Sequence, residues 1–272
     1  MAHHPQSPIG VFDSGLGGLT IVKALKELMP DEQIIYVGDT AHLPYGDKAP
    51  ERVQDYSKAI SAFLVKQEVK AIIIACNTAS AVGYEHVQAI AGDVPVFEVI
   101  GPAAREAIRA SSSRHIGVIG TRTTINSEVY QLRLRSLYTQ VEVTAKATPL
   151  LVPMIEEGWL HNLVSQDVID AYMSDTGFST IDTLILGCTH YPLIKEQIDQ
   201  YFKKNHDHSI FLIDSAIVVA ESVKAFLEQK KRTAQKSEAQ DIFYLTDYSI
   251  HFRETAELFL GRKVHFEAIK LD

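Results

Sequence analysis

Two cysteines occur in the chain, and each closes an apolar run at the point where polar side chains begin. Ile72-Ile73-Ile74-Ala75 leads into Cys76-Asn77-Thr78, and Leu184-Ile185-Leu186-Gly187 leads into Cys188-Thr189-His190. A buried cysteine often serves only as a small apolar side chain. These two, however, hold matching positions and keep hydrogen-bonding neighbours. A structural role aside, three chemistries are open to them. A disulfide would waste the polar neighbours and suits an oxidising compartment for which the sequence gives no sign. Zinc could be held with His190 and Asp13 completing four ligands, although the short paired spacing usual in such sites is missing. The third places a substrate carbon between the sulfurs, one removing a proton from one face while the other delivers a proton to the opposite face, so that a stereocentre is inverted. A thiol with the ordinary pKa of about 8.5 is only a few per cent ionised at neutral pH, so such a pair needs tuning. Asp13 beside Cys76 and His190 beside Cys188 are the available tuners. A carboxylate raises a thiol's pKa or accepts its proton, and an imidazolium lowers it.

These residues need elements that present them together. Short apolar runs at 9–12, 33–37, 71–75, 95–99, 116–119, 183–186 and 210–213 read as strands buried on both faces, and helical patterns such as 19–28 and 53–65 lie between them. This alternation predicts an α/β fold with mostly parallel sheets. Three pieces recur in order at nearly constant spacing: Ile9–Ser14 with Ile116–Thr121, Ile72–Thr78 with Leu184–His190, and Val99–Ala103 with Leu212–Ala216. The repeats predict two similar flavodoxin-like domains related by a pseudo-twofold, 1–100 plus 214–272 and 101–213, with the active site in the cleft between them. Residues 232–240 read as a polar connection, after which 241–245 and 264–269 read as added strands. In open parallel sheets ligands bind beyond the carboxyl ends of the strands. The polar clusters Asp13–Gly18, Gly38–Thr40, Cys76–Thr78, Thr121–Asn126 and Cys188–His190 all fall there. The Gly15-x-Gly17-Gly18 turn breaks the dinucleotide spacing because position 20 is Thr, and no phosphate-binding G-x-x-x-x-G-K-[ST] occurs. Its small residues still leave backbone N–H groups free to face a carboxylate.

Composition narrows the partners. Across 272 residues, Lys+Arg 26 against Asp+Glu 34 gives a net charge of −8, which argues against nucleic acid. The one basic run, Lys230-Lys231-Arg232, reads as a solvated helix end. With 46% hydrophobic and 22% charged residues the chain is an ordinary globular one. Its longest apolar stretch, Ala71–Cys76, is far short of the roughly 20 residues of a membrane span. Met1–Ser7 has neither the basic nor the apolar segment of an export signal, so His3 and His4 read as a leader and a cytoplasmic protein is expected.

Asp13-Ser14-Gly15-x-Gly17-Gly18-Leu19-Thr20, Gly38-Asp39-Thr40-Ala41, Pro44-Tyr45-Gly46, Ala75-Cys76-Asn77-Thr78-Ala79, Ile119-Gly120-Thr121 and Leu186-Gly187-Cys188-Thr189-His190-Tyr191-Pro192-Leu193 together resemble, in order, the motifs of the cofactor-independent glutamate racemases of the aspartate/glutamate racemase superfamily. The resemblance runs from residue 9 to about 215. It implies interconversion of L- and D-glutamate with no cofactor and no metal, supply of D-glutamate for peptidoglycan, and a homodimer. It also implies that Cys76 deprotonates the D-enantiomer and Cys188 the L-enantiomer. Asp13, His190 and Glu156 would assist the thiols, while Asp13, Ser14, Pro44, Tyr45, Gly46, Asn77, Thr78, Thr121, Thr124, Thr189 and His190 would contact substrate. An aspartate or hydantoin racemase of the same superfamily, or a silent module binding acidic amino acids, would share much of this pattern. Two departures bear on loop position: His42 stands where these proteins commonly have Arg, and Thr121-Arg122-Thr123-Thr124 replaces a turn that usually contains Gly. No long extension precedes the first strand, so activation by a cell-wall precursor is not expected.

Overall fold

The computed structural model describes residues 4–206, 208–235, 239–248 and 250–271, the side chains of 250 and 251 excepted. His3 of the expected leader and residues 236–238 of the polar connection lie outside the described residues. In chain order the elements are β1 (Ile9–Asp13), α1 (Leu19–Leu28), β2 (Ile34–Gly38), α2 (Pro50–Lys66), β3 (Ala71–Ile74), α3 (Asn77–Ala91), β4 (Val96–Glu98), α4 (Ile100–Ala110), β5 (His115–Gly120), α5 (Arg122–Asn126), α6 (Val129–Leu137) and β6 (Glu142–Ala147). They continue with α7 (Leu151–Glu156), α8 (Leu163–Met173), β7 (Thr183–Gly187), α9 (Lys195–Asn205), β8 (Phe211–Asp214), α10 (Ser215–Gln229), β9 (Ile242–Leu245), α11 (Ile250–Leu260) and β10 (Phe266–Ala268).

One sheet has the order β10-β9-β2-β1-β3-β4 and the other β6-β5-β7-β8, and every pairing among the described residues is parallel. The run β2-β1-β3-β4 therefore repeats as β6-β5-β7-β8. Register repeats with it: Ile9 lies opposite Ala71 as Ile116 lies opposite Thr183. The first two sequence repeats obey this register and the third does not. Ile72 pairs with Val96 and Leu184 with Leu212, so Val96, not Val99, is the counterpart of Leu212. Buried apolar strands look alike at any short offset, and hydrogen bonding to the neighbour decides which offset is real. Strand β6 is absent from the sequence expectation. Its Glu-Val-Thr-Ala-Lys-Ala is an edge strand, nowhere fully buried, and lacks the continuous apolar signature of its neighbours.

Burial on both faces explains why the inner strands are apolar throughout. Along β1 and β3, Ile9, Val11, Ala71 and Ile73 face one core, while Phe12, Ile72 and Ile74 face another across the sheet. The first of these cores runs on through the second sheet, taking in Ile116, Val118, Leu184 and Ile185. Helices α1 and α10 pack together, as do α4 and α10. The chain beyond α10 is tied to the amino-terminal ends of the strands by Lys70, whose ammonium pairs with Glu32 and donates to the Arg232 carbonyl. The opposite ends of both sheets are thus left to form the site.

Candidate active site

The first wall is built where β3 gives way to α3. Cys76 is the N-cap of that helix, and its sulfur accepts the Ala79 N–H at 3.5 Å while the Ser14 hydroxyl lies 3.7 Å away. Asp13, the last residue of β1, is fully buried. Its Oδ2 accepts the Gly15 N–H at 2.9 Å, and its Oδ1 has no hydrogen-bond partner among the described residues. The glycine-rich turn thus turns an amide toward the chain's own carboxylate. A helix N-terminus favours a thiolate, but burial overrides it. Desolvation, reinforced by the Asp13 charge, pushes the Cys76 thiol up to about 12, against the opposing pull of the Ala79 N–H and the Ser14 hydroxyl. Burial also raises the Asp13 carboxyl, although His190 and the backbone N–H groups of the turn pull it down.

On the second wall Cys188 follows β7 and precedes a single 3-10 turn, Tyr191–Ile194. His190 Nδ1 lies 3.8 Å from the Cys188 sulfur, and its Nε2 lies 3.0 Å from Oε1 of Glu156 at the end of α7. Phe259 closes the ring's flank edge-on at 5.1 Å. Burial by itself would lower the imidazole, yet the hydrogen bonds to Cys188 and Glu156 outweigh it and raise His190 to about 10. An imidazolium therefore stands beside this sulfur across the neutral range.

Both sulfurs line one cavity of about 280 Å³, near the lower end of the roughly 300–1,000 Å³ range of small-molecule sites. Ser14, Pro44, Tyr45, Gly46, Asn77, Thr78, Thr121, Glu156, Thr189 and His190 line it as well. Two of the expected contacts stand behind the wall. Asp13 is enclosed by its turn, and Thr124 is fully buried, its hydroxyl within 3.0 Å of Thr121 and 3.1 Å of Thr78. Those three hydroxyls join α3 to α5 across the cleft. The two sides approach so closely that a Cβ at Gly17 would come within 2.3 Å of Thr189 Oγ1, and one at Gly46 within 2.6 Å of Thr121 Cβ.

The turn carrying Tyr45 is held from behind by Asp39. This buried carboxylate accepts the Tyr45 hydroxyl at 2.5 Å and the Thr246 hydroxyl at 2.8 Å. His42, one of the departures, puts Nδ1 2.9 Å from the same carboxylate and stacks on Tyr56. The other departure bridges to the Tyr45 turn: Arg122 pairs with Asp47 at 3.1 Å, and Thr123 donates to the Gly46 carbonyl at 2.9 Å. The sequence reading missed several wall residues, among them Thr148, Pro149, Val152 and Pro153. Thr148 follows β6, so the strand-end signal that flagged the other clusters was lost with that strand. Among the described residues no group of three or more His, Cys, Asp and Glu side chains is placed to hold a metal ion, both cysteines are free thiols, and no helix is long and apolar enough to cross a membrane.

A family model described as Asp/Glu/hydantoin racemase matches residues 19–223. A protein of Neisseria meningitidis serogroup C named glutamate racemase is 42% identical over 258 residues, 94% of either chain. The crystal structure of a glutamate racemase from Francisella tularensis in complex with D-glutamate is similar with a TM-score of 0.92 at 40% identity, covering 98% of this chain and 99% of that one. A glutamate racemase from Thermus thermophilus in complex with beta-chloro-D-alanine gives a TM-score of 0.88 at 38% identity, covering 98% of each chain.

Proposed function

Because the chain belongs to the Asp/Glu/hydantoin racemase family, we propose that it is a glutamate racemase, an isomerase that interconverts L- and D-glutamate with two thiols and no cofactor and supplies D-glutamate for peptidoglycan. One observation carries the reading: Cys76 and Cys188, the chain's two cysteines, line a single small cavity, with Asp13 buried near the first and His190 beside the second.

Starting from L-glutamate, Cys188 removes the α-proton with His190 and Glu156 behind it. The electron pair of the broken C–H bond moves into the α-carboxylate. The Cys76 S–H then gives its proton to the opposite face of the same carbon, which leaves Cys188 as the thiol and Cys76 as the thiolate. Proton exchange with water, or the reverse passage of a D-glutamate, restores the starting form. Asp13 serves the D-to-L direction as acceptor for the Cys76 proton. Ser14, Thr78, Thr121 and Thr189 offer hydroxyls to the substrate's polar groups, and Asn77 offers Nδ2, which is buried without a partner among the described residues. Pro149, Val152 and Pro153 suit the two side-chain methylenes of glutamate. Tyr45 and Gly46 bound the site beside Arg122, which pairs with Asp47.

The test is incubation of L-glutamate with the enzyme in deuterated water, following optical rotation and α-deuterium incorporation. Inversion with exchange supports the reading. A binding module would give neither, and an aspartate racemase would give both with aspartate alone. We further take the chain as a cytoplasmic homodimer of protomers divided at residues 1–100 plus 214–272 and 101–213. Sedimentation at micromolar protein checks the dimer.

A further inference from the structure

The ring of Tyr130, on α6, is ordinary core: it is fully buried and packs on Gly187, where an added Cβ would come within 3.3 Å of Cε2. Its hydroxyl does something else. It crosses to the opposite wall and donates a 2.6 Å hydrogen bond to Oδ1 of Asn77. Asn77 is the residue after Cys76, and Gly187 is the residue before Cys188. One aromatic side chain therefore spans the space between the two thiol-bearing turns.

The consequence lies in the amide. A carboxamide carries an acceptor at one end and two donors at the other, and rotation about its last torsion exchanges them. Asn77 is 2% exposed, lines the cavity, and leaves Nδ2 without a partner among the described residues. A buried donor with no partner is costly unless a ligand supplies one. We infer that Tyr130 is a positioning residue: by fixing Asn77 Oδ1 it keeps the Nδ2 donors turned toward the cavity for a carboxylate oxygen of the bound amino acid. The hydroxyl is suited to this because burial, with the charges of Glu98 and Cys188 adding to it, holds it well above the ordinary tyrosine pKa, so it stays a donor at any working pH. The inference rests on the glutamate reading of the cavity.

Tyr130→Phe removes the hydroxyl and keeps the ring. The amide is then free to turn its oxygen toward the substrate, so KM for both enantiomers should rise about tenfold with kcat little changed. In an Asn77→Ala background the same substitution should add nothing, because its target is gone. An unchanged KM in folded Tyr130→Phe, or an undiminished effect in the Asn77→Ala background, overturns the inference. Should Tyr130→Phe not fold, the unaltered enzyme decides through its Asn77 side-chain amide, assigned in 1H–15N spectra by its loss in Asn77→Ala. One rigid pair of signals that shifts on adding D-glutamate is expected, and a freely rotating or unresponsive amide overturns the role. An unaltered enzyme that does not exchange the α-proton of glutamate takes down the proposed function and this inference together. An active one indifferent to Tyr130→Phe takes down only this inference.

Discussion

The two walls of the cavity start from one plan and end with opposite electrostatics. Each sulfur follows the third strand of a β2-β1-β3-β4 type sheet. Cys76 caps a long α-helix, a position that should favour its anion, yet burial beside Asp13 pushes it up to about 12. Cys188 precedes only a short 3-10 turn and instead has an imidazolium within reach, itself held by Glu156. The two walls therefore differ in the group that faces each sulfur, a buried carboxyl at the first and a raised imidazole at the second. Enantiomers have equal free energy in water, so kcat/KM is the same in both directions whatever the walls do. The asymmetry can show only in half-reactions, in kcat and KM taken separately, and in pH dependence.

The largest effect should come from removing either sulfur. Cys76→Ala and Cys188→Ala should each lose on the order of 10²–10⁴ or more in racemisation while staying folded, as polarimetry and circular dichroism can follow. The half-reactions then separate the walls. Cys76→Ala keeps Cys188 with His190 3.8 Å from its sulfur, so it should exchange the α-proton of L-glutamate in deuterated water without inverting it. Cys188→Ala retains a thiol at about 12, so exchange of D-glutamate should be slow at neutral pH and climb as pH rises toward that value. Equal exchange in the two variants would break the comparison.

Next in size, His190→Asn should cost about 10²-fold in kcat/KM. Gly17→Ala should cost about as much for a mechanical reason, since its Cβ would strike Thr189 and His190 and shift the second wall by a fraction of an ångström. A smaller and slower signature lies in stability. His190 rises from 6.5 to about 10 on folding, so its contribution is complete below about 6.5 and fades as pH climbs through 10. The thermal midpoint of the unaltered protein should fall more steeply over that window than that of His190→Asn, and parallel curves would remove the imidazolium from the second wall. The smallest effect is none: dialysis against a chelator should leave turnover unchanged.

Much of this was legible in the residues because strand ends carry the chemistry and buried strands announce themselves. The helix expected at 19–28 is α1, and every apolar run from 9–12 to 210–213 falls on a strand. What escaped did so for physical causes. An edge strand such as β6 is half solvated, so Glu142 and Lys146 mask it, and Thr148 at its end went unseen. Asp39 stands in a strand-end cluster of the sequence, but the convergence of His42, Tyr45 and Thr246 on it depends on β9 lying beside β2. Tyr130 gave no signal at all, because a tyrosine among apolar neighbours reads as core and only coordinates reveal where its oxygen points.

Concealment of the sulfurs has a practical side. Cys76 is 5% exposed and Cys188 6%, inside a cleft whose rim is drawn together by Arg122 with Asp47 and by Thr123 with Gly46. With so little of either sulfur exposed, labelling by an alkylating reagent should be slow, and its rate should serve as a clock for widening of the rim. Added salt, by weakening the exposed ion pair, should quicken that clock, and bound amino acid should stop it.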